Sequence, residues 1–134
     1  EDLRLLLGVI PSTGEGVKVQ LQDAEYDPVS ENPNDYIVHE SHVFKVLNEL
    51  KISGAEAISI NGQRLHANSY IRCNGPVITI DGKQFPAPFV IEAIGDTEVL
   101  IPSLELSGGV LDQLLNDNII VTIEANKKMT MPAL

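Results

Sequence analysis

Asp23, Asn61, Gln63 and Arg64 are the side chains in this sequence with the types to act together. An arginine fork binds carboxylates through paired, charge-assisted hydrogen bonds. Asparagine and glutamine amides donate and accept at once. Gathered in a cleft, such a set recognises a backbone, a carboxylate or a small polar ligand. Three of the four crowd one short segment, Gly54-Ala55-Glu56-Ala57-Ile58-Ser59-Ile60-Asn61-Gly62-Gln63-Arg64-Leu65. Its apolar part reads as a strand and its Asn-Gly as a tight turn. The segment has a plain structural reading beside the functional one. Asn61 supplies positive φ, Gln63 and Arg64 satisfy neighbouring carbonyls, and Glu56 pairs with a base. In the functional reading the turn is a rim that recognises a partner through Arg64.

Other motifs fail on spacing or context. His39-Glu40-Ser41-His42 has one residue between Glu and the second His. The zinc-protease helix needs two, so that both imidazoles share a face. Two histidines three apart could share a surface metal, but near a turn they read as solvated polar residues. Asp23-Ala24-Glu25-Tyr26-Asp27 opens like a calcium loop, then places Pro28 where glycine is required and Asn34 where an acid is required. Gly14-Glu15-Gly16 lacks a third glycine and leads into a strand, whereas phosphate-binding loops lead into helix N-termini. No Gly-x-Ser-x-Gly elbow is present. Cys73 is the one cysteine, so no intrachain disulfide forms, and its setting in Ile71-Arg72-Cys73 reads as a small core residue. No catalytic residue, metal set or cofactor is assigned.

Charge narrows the partners. Against 9 Lys and Arg stand 19 Asp and Glu, a net charge of −10. Residues 15–40 hold Glu15, Asp23, Glu25, Asp27, Glu31, Asp35 and Glu40 against Lys18 alone. Nucleic-acid grooves need clustered Lys and Arg to neutralise phosphates, so nucleic acid is not expected as a partner. Anionic lipid surfaces are disfavoured for the same reason. No apolar run approaches the ~20 residues of a membrane helix, and no signal peptide opens the chain. At 134 residues with 43% hydrophobic and 21% charged, a single domain with its own core is expected.

The elements that must position these residues follow from periodicity. Leu3, Leu6 and Leu7 share a helical face that ends at Gly8, so residues 1–8 read as the end of an upstream helix and 9–134 as one domain. Pro11 to Gly16 reads as a turn, Val17 to Leu21 as an alternating strand, and 23–38 as a long acidic loop. Ser41 is the expected cap of a helix whose stripe is Val43, Val46, Leu47 and Leu50, ended by Gly54. Strands near 57–60, 63–66, 69–73 and 77–80 are joined by Asn61-Gly62, Asn74-Gly75 and Asp81-Gly82, the residues that tight hairpin turns need. These read as one antiparallel meander, with Pro86 and Pro88 breaking the chain. Phe89 to Ile94 is a strand. Asp96 caps a short helix limited by Pro102, a second helix carries Val110, Leu111, Leu114 and Leu115, and 118–124 is a last strand, which 127–131 pairs with unless it closes the sheet. The expected class is α+β: a mixed, mostly antiparallel sheet with helices on one face, with a ferredoxin-like βαββαβ core and an inserted hairpin.

One run is specific beyond its physics. GAEAISINGQRL, followed by SYIRCNGPVITIDG and PFVIEAIGD, resembles the bacterial family known as domain of unknown function 881. Gly14 to Asp23 is similar to the family's entry strand, with Glu15 where proline is more usual. His39 followed by Val46-Leu47-Asn48-Glu49-Leu50 is similar to its first helix, and Met131-Pro132-Ala133 to its ending. The resemblance implies a domain outside the cytoplasmic membrane of Gram-positive bacteria, held by an N-terminal membrane helix and a dimerising coiled coil. It also implies a neighbourhood link to cell division. The sequence itself shows neither the anchor nor the coiled coil. Two functional expectations follow. One is a non-enzymatic interaction module that binds a protein partner by a sheet edge or by the Asn61–Arg64 turn. The other is a small-ligand or cell-wall-fragment binding domain, with or without enzyme activity, built on the four polar residues.

Overall fold

The computed structural model describes residues 12–23, 40–65, 71–74, 77–86, 88–117 and 119–131. They form strands β1 (Ser12–Asp23), β2 (Ala57–Ile60), β3 (Gln63–Arg64), β4 (Ile71–Asn74), β5 (Val77–Ile80), β6 (Lys83–Pro86), β7 (Phe89–Ile94) and β8 (Ile119–Met131). The helices are α1 (Glu40–Ile52), α2 (Thr97–Leu104) and α3 (Val110–Asn116). The class is α+β. A five-stranded sheet runs β3-β2-β7-β1-β8 with every neighbour antiparallel, and β4-β5-β6 form a separate three-stranded sheet.

Register decides which face is core. Ile60, Ile91, Val19 and Ile123 lie in one row across the sheet, and Ile58, Ala93 and Val17 in another. Residues two apart on a strand share a face, so these rows form one apolar surface. Val43, Val46, Leu47 and Leu50 of α1, Leu100 and Leu104 of α2 and Leu114 of α3 bury against it. All three helices therefore cover the same side. The other side carries the row Arg64, Ser59, Glu92, Lys18 and Glu124. It also carries a small buried cluster of Ala57, Ile94 and Met129.

Local chemistry sets the turns. Helix α1 ends as its sequence predicts: Gly54 takes φ of 93°, Ala55 N–H bonds Leu50 O at 2.9 Å, and Gly54 N–H bonds Lys51 O at 3.2 Å. That pair of bonds satisfies carbonyls the last turn would leave open. Asn61 and Gly62 sit at φ of 50° and 84°, Asp81 and Gly82 at 48° and 88°. Both dipeptides form the hairpin turns expected of them. Asp96 caps α2 by accepting Glu98 N–H at 2.9 Å. Pro102 does not stop that helix, which runs on to Leu104.

Four further expectations are corrected. Ser12 to Gly16 is strand, not turn, because it pairs with the far half of β8. A Cβ on Gly16 would lie 2.1 Å from the Ala93 carbonyl oxygen, so glycine here serves close packing rather than a turn. Helix α1 begins at Glu40, so Ser41 lies inside it. The meander divides: β2 and β3 join the main sheet, while β4, β5 and an unanticipated β6 make the second. Pro86 ends β6 at that sheet's edge, where its missing N–H costs no ladder bond. Finally, 119–131 is one continuous strand. Three steps on β8, Asn126 to Met129, oppose two on β1, Gly14 to Gly16, and this bulge absorbs the irregularity. Of the expected loop over 23–38, Asp23 instead ends β1; the rest of that loop, the expected helix over 1–8, His39 and the Cys73 side chain lie outside the described residues.

Candidate functional site

The Asn61–Arg64 turn is built into the framework. Asn61 N–H bonds Val90 O at 2.8 Å, and Val90 N–H returns to Asn61 Oδ1 at 2.7 Å. The side chain thus lengthens the β2–β7 ladder by one rung beyond Ile60. Gln63 lies on the core side, opposite Ile60, and its Nε2 donates to Ile80 O at 3.2 Å. That bond ties the five-stranded sheet to the small one. Gln63 Oε1 is buried and has no hydrogen-bond partner among the described residues. Arg64 lies on the opposite face, 4% exposed and engaged within the fold. Burial pushes its guanidinium below its ordinary value, because desolvation disfavours the cation. An arginine so enclosed does not present its fork to a partner.

Asp23 is not gathered with them. Its backbone pairs with Ile119 at the end of β1, while Asn61 lies opposite Val90, which pairs with Gln20. Two strand spacings and three residues of rise separate the Asp23 and Asn61 backbones by about 10 Å in each direction. The structure therefore joins Asn61, Gln63 and Arg64 through one hairpin, on two faces, and leaves Asp23 apart.

His42 was expected to be solvated. It is 5% exposed, and its Nε2 lies 3.0 Å from Asp117 Oδ2, linking the start of α1 to the C-cap of α3. Seventy-five residues separate the pair, so no local spacing could have revealed it. Among the described residues, no group of three or more His, Cys, Asp or Glu is placed to hold a metal ion. No helix among them is long and apolar enough to cross a membrane.

The concavities lined by described residues include two. A void of about 10 Å³ lies under α3, lined by Val46, Leu104, Leu114 and Ile123 among other apolar side chains. An open notch of about 280 Å³ is lined by Gly14, Glu15, Glu56, Ile94, Gly95 and Asp96. Neither is lined by Asn61, Gln63 or Arg64.

Among the described residues, the feature that stands open is the β8 edge. Among the described strands β8 pairs only with β1, over nearly its whole length. Ile120 is 46% exposed, and Thr122 and residues 124–128 are exposed. Its N–H and C=O groups that do not face β1 point outward in alternation. The sequence signal was the β-branched run Ile119-Ile120-Val121-Thr122-Ile123. That run predicts a strand but not whether the strand is central or at the edge.

The model of the family described as "Bacterial protein of unknown function (DUF881)" matches residues 1–134. The chain belongs to that family. This DUF881 chain is 56% identical to UPF0749 protein YlxW of Bacillus subtilis over 131 residues, covering 98% of the chain and 57% of YlxW. It is 31% identical over 114 residues to UPF0749 protein Rv1825 of Mycobacterium tuberculosis, covering 82% of the chain and 36% of that protein. A crystal structure of an uncharacterized conserved protein from Mycobacterium tuberculosis matches with TM-score 0.84 at 26% identity, covering 99% of this chain and 89% of that one. The chain thus spans little more than half of YlxW and about a third of Rv1825.

Proposed function

We propose that this domain is a non-enzymatic interaction module that receives an extended segment of a partner protein along the open edge of β8. Strand addition to a sheet edge uses the outward backbone groups for affinity and side-chain alternation for specificity. The supporting observation is that β8 has a neighbour on one side only among the described strands, with exposed residues along it. The alternative docking surface, the Asn61–Arg64 turn, engages the Asn61 acceptor, the Gln63 donor and Arg64 inside the fold. In the full-length protein we place the module outside the cytoplasmic membrane, behind an N-terminal anchor and a dimerising coiled coil, in envelope or division assembly. Those placements rest on the family resemblance.

The competing reading, a small-ligand or wall-fragment domain, draws on the notch at Glu15, Glu56 and Asp96. Ligand sites are mostly apolar concavities with a few convergent polar groups. This notch instead presents exposed carboxylates and none of the amide or guanidinium groups at Asn61, Gln63 and Arg64.

A photo-crosslinking residue at Thr122 of the full-length protein tests the proposal in cells. It should capture a partner protein, while the same residue at exposed Glu98 on α2 should not. Capture at position 98 alone would overturn the edge reading. A phosphatase fusion reporting cytoplasmic location would overturn the placement.

A further inference from the structure

The open edge of β8 is guarded along only one half. Beyond Asn126 the strand bulges, Asn126 Oδ1 accepts Lys128 N–H at 3.1 Å, and exposed Lys127 and Lys128 follow. Bulges and lysines are the devices that stop an edge from pairing. Residues 119–123 carry neither. They are five uncharged residues of high strand propensity, four of them Ile or Val. The two halves differ in the chemistry that decides whether another strand is admitted.

Carboxylates bracket the unguarded half. Asp117, about half exposed, precedes it, and exposed Glu124 follows it. No Lys or Arg lies between them in sequence, His42 lies against Asp117 and Lys18 opposite Glu124, and the whole chain carries −10. We propose that residues 119–123 accept a short uncharged strand flanked by basic residues, contributed by a different protein. This specifies the partner of the edge-docking reading and rests on it. A second copy is the poorer occupant. An antiparallel copy centred on Val121 would bring Glu124 of each chain to within one register position of Asp117 of the other. Two chains of −10 also repel at long range. A strand with cations at its ends meets a carboxylate at each end, and opposite charges facing across strands are favourable.

The test uses the 134-residue chain and three labelled peptides: Lys-Val-Thr-Val-Thr-Val-Lys, and the same core with Ser or Glu at both ends. Fluorescence anisotropy reads binding, and amide exchange reads protection along β8. The Lys-ended peptide should bind about tenfold more tightly than the Ser-ended one, and the Glu-ended peptide more weakly still. Glu124→Gln should narrow the gap between Lys and Ser ends to about threefold while leaving the fold unchanged. Equal binding of all three, with alternate β8 amides protected, would leave the edge reading standing and overturn the basic partner. No binding of any peptide would overturn both. A dimer in sedimentation, with β8 amides protected as concentration rises, would make the second copy the occupant and overturn the proposal.

Discussion

Asn61 offers a perturbation whose two physical parts can be separated. Its side chain accepts Val90 N–H at 2.7 Å, and its backbone sits at φ of 50°. Removing the acceptor leaves a half-buried N–H unpaired, at about 1–3 kcal/mol. Placing alanine at positive φ adds about 1–2 kcal/mol of steric strain. Asn61→Ala should therefore lose about 2–5 kcal/mol. Asn61→Gly keeps the turn geometry and loses the bond, so it should fall nearer 1–3 kcal/mol. Asn61→Asp keeps both an acceptor and tolerance of the left-handed region, so it should stay within about 0.5 kcal/mol of the parent. Urea unfolding with linear extrapolation measures the series, provided the slopes agree. For a chain of this size each kcal/mol corresponds to roughly 3–5 °C in Tm. The order Asp, then Gly, then Ala follows from the geometry. Equal losses in all three, or a loss for Asp as large as for Ala, would refute the assignment of Asn61 to the framework.

Three more expectations follow from the packing. Gly16→Ala drives a methyl to 2.1 Å from the Ala93 carbonyl oxygen, inside the sheet where neither strand can yield. It should cost at least about 2 kcal/mol or abolish folding, read by circular dichroism and urea unfolding. A double-mutant cycle on His42→Ala and Asp117→Ala should return a coupling of about 1 kcal/mol, the half-exposed carboxylate holding it below a fully buried pair. Coupling near zero would mean that the 3.0 Å contact does not join α1 to α3. Replacing Lys127 and Lys128 by valine removes charge from the guarded half of the edge and should raise light scattering at concentrations where the parent stays monodisperse. An unchanged signal would show that the lysines are not what protects it.

Much of the fold was legible because its signals are local. The stripe Val43, Val46, Leu47 and Leu50 specified α1 and its buried face, and Asn61-Gly62 and Asp81-Gly82 specified their turns. The α+β class followed from the order of elements. What was hidden depends on pairing at long range. Ser12 to Gly16 looked like a turn because glycine's use in close packing against Ala93 shows only once β7 lies beside it. The division of the expected meander into two sheets depends on β2 pairing with β7, across an insertion that no periodicity records. The candidate site divided in the same way. Polar character drew notice to Asn61, Gln63 and Arg64, but a polar side chain that completes a ladder reads like one that awaits a ligand. The edge status of β8 was invisible because an edge is a property of the sheet, not of the strand.

The most direct test of edge docking is residue-resolved amide exchange on β8, with and without the partner captured through Thr122. In the free chain, amides alternating along Ile119–Ile123 should exchange quickly on the open side and slowly toward β1. Binding should protect the fast set alone, every second residue, and leave the Asn61–Arg64 hairpin unchanged. Protection at that hairpin, or around the Glu15–Glu56–Asp96 notch, with no change on β8 would contradict the account.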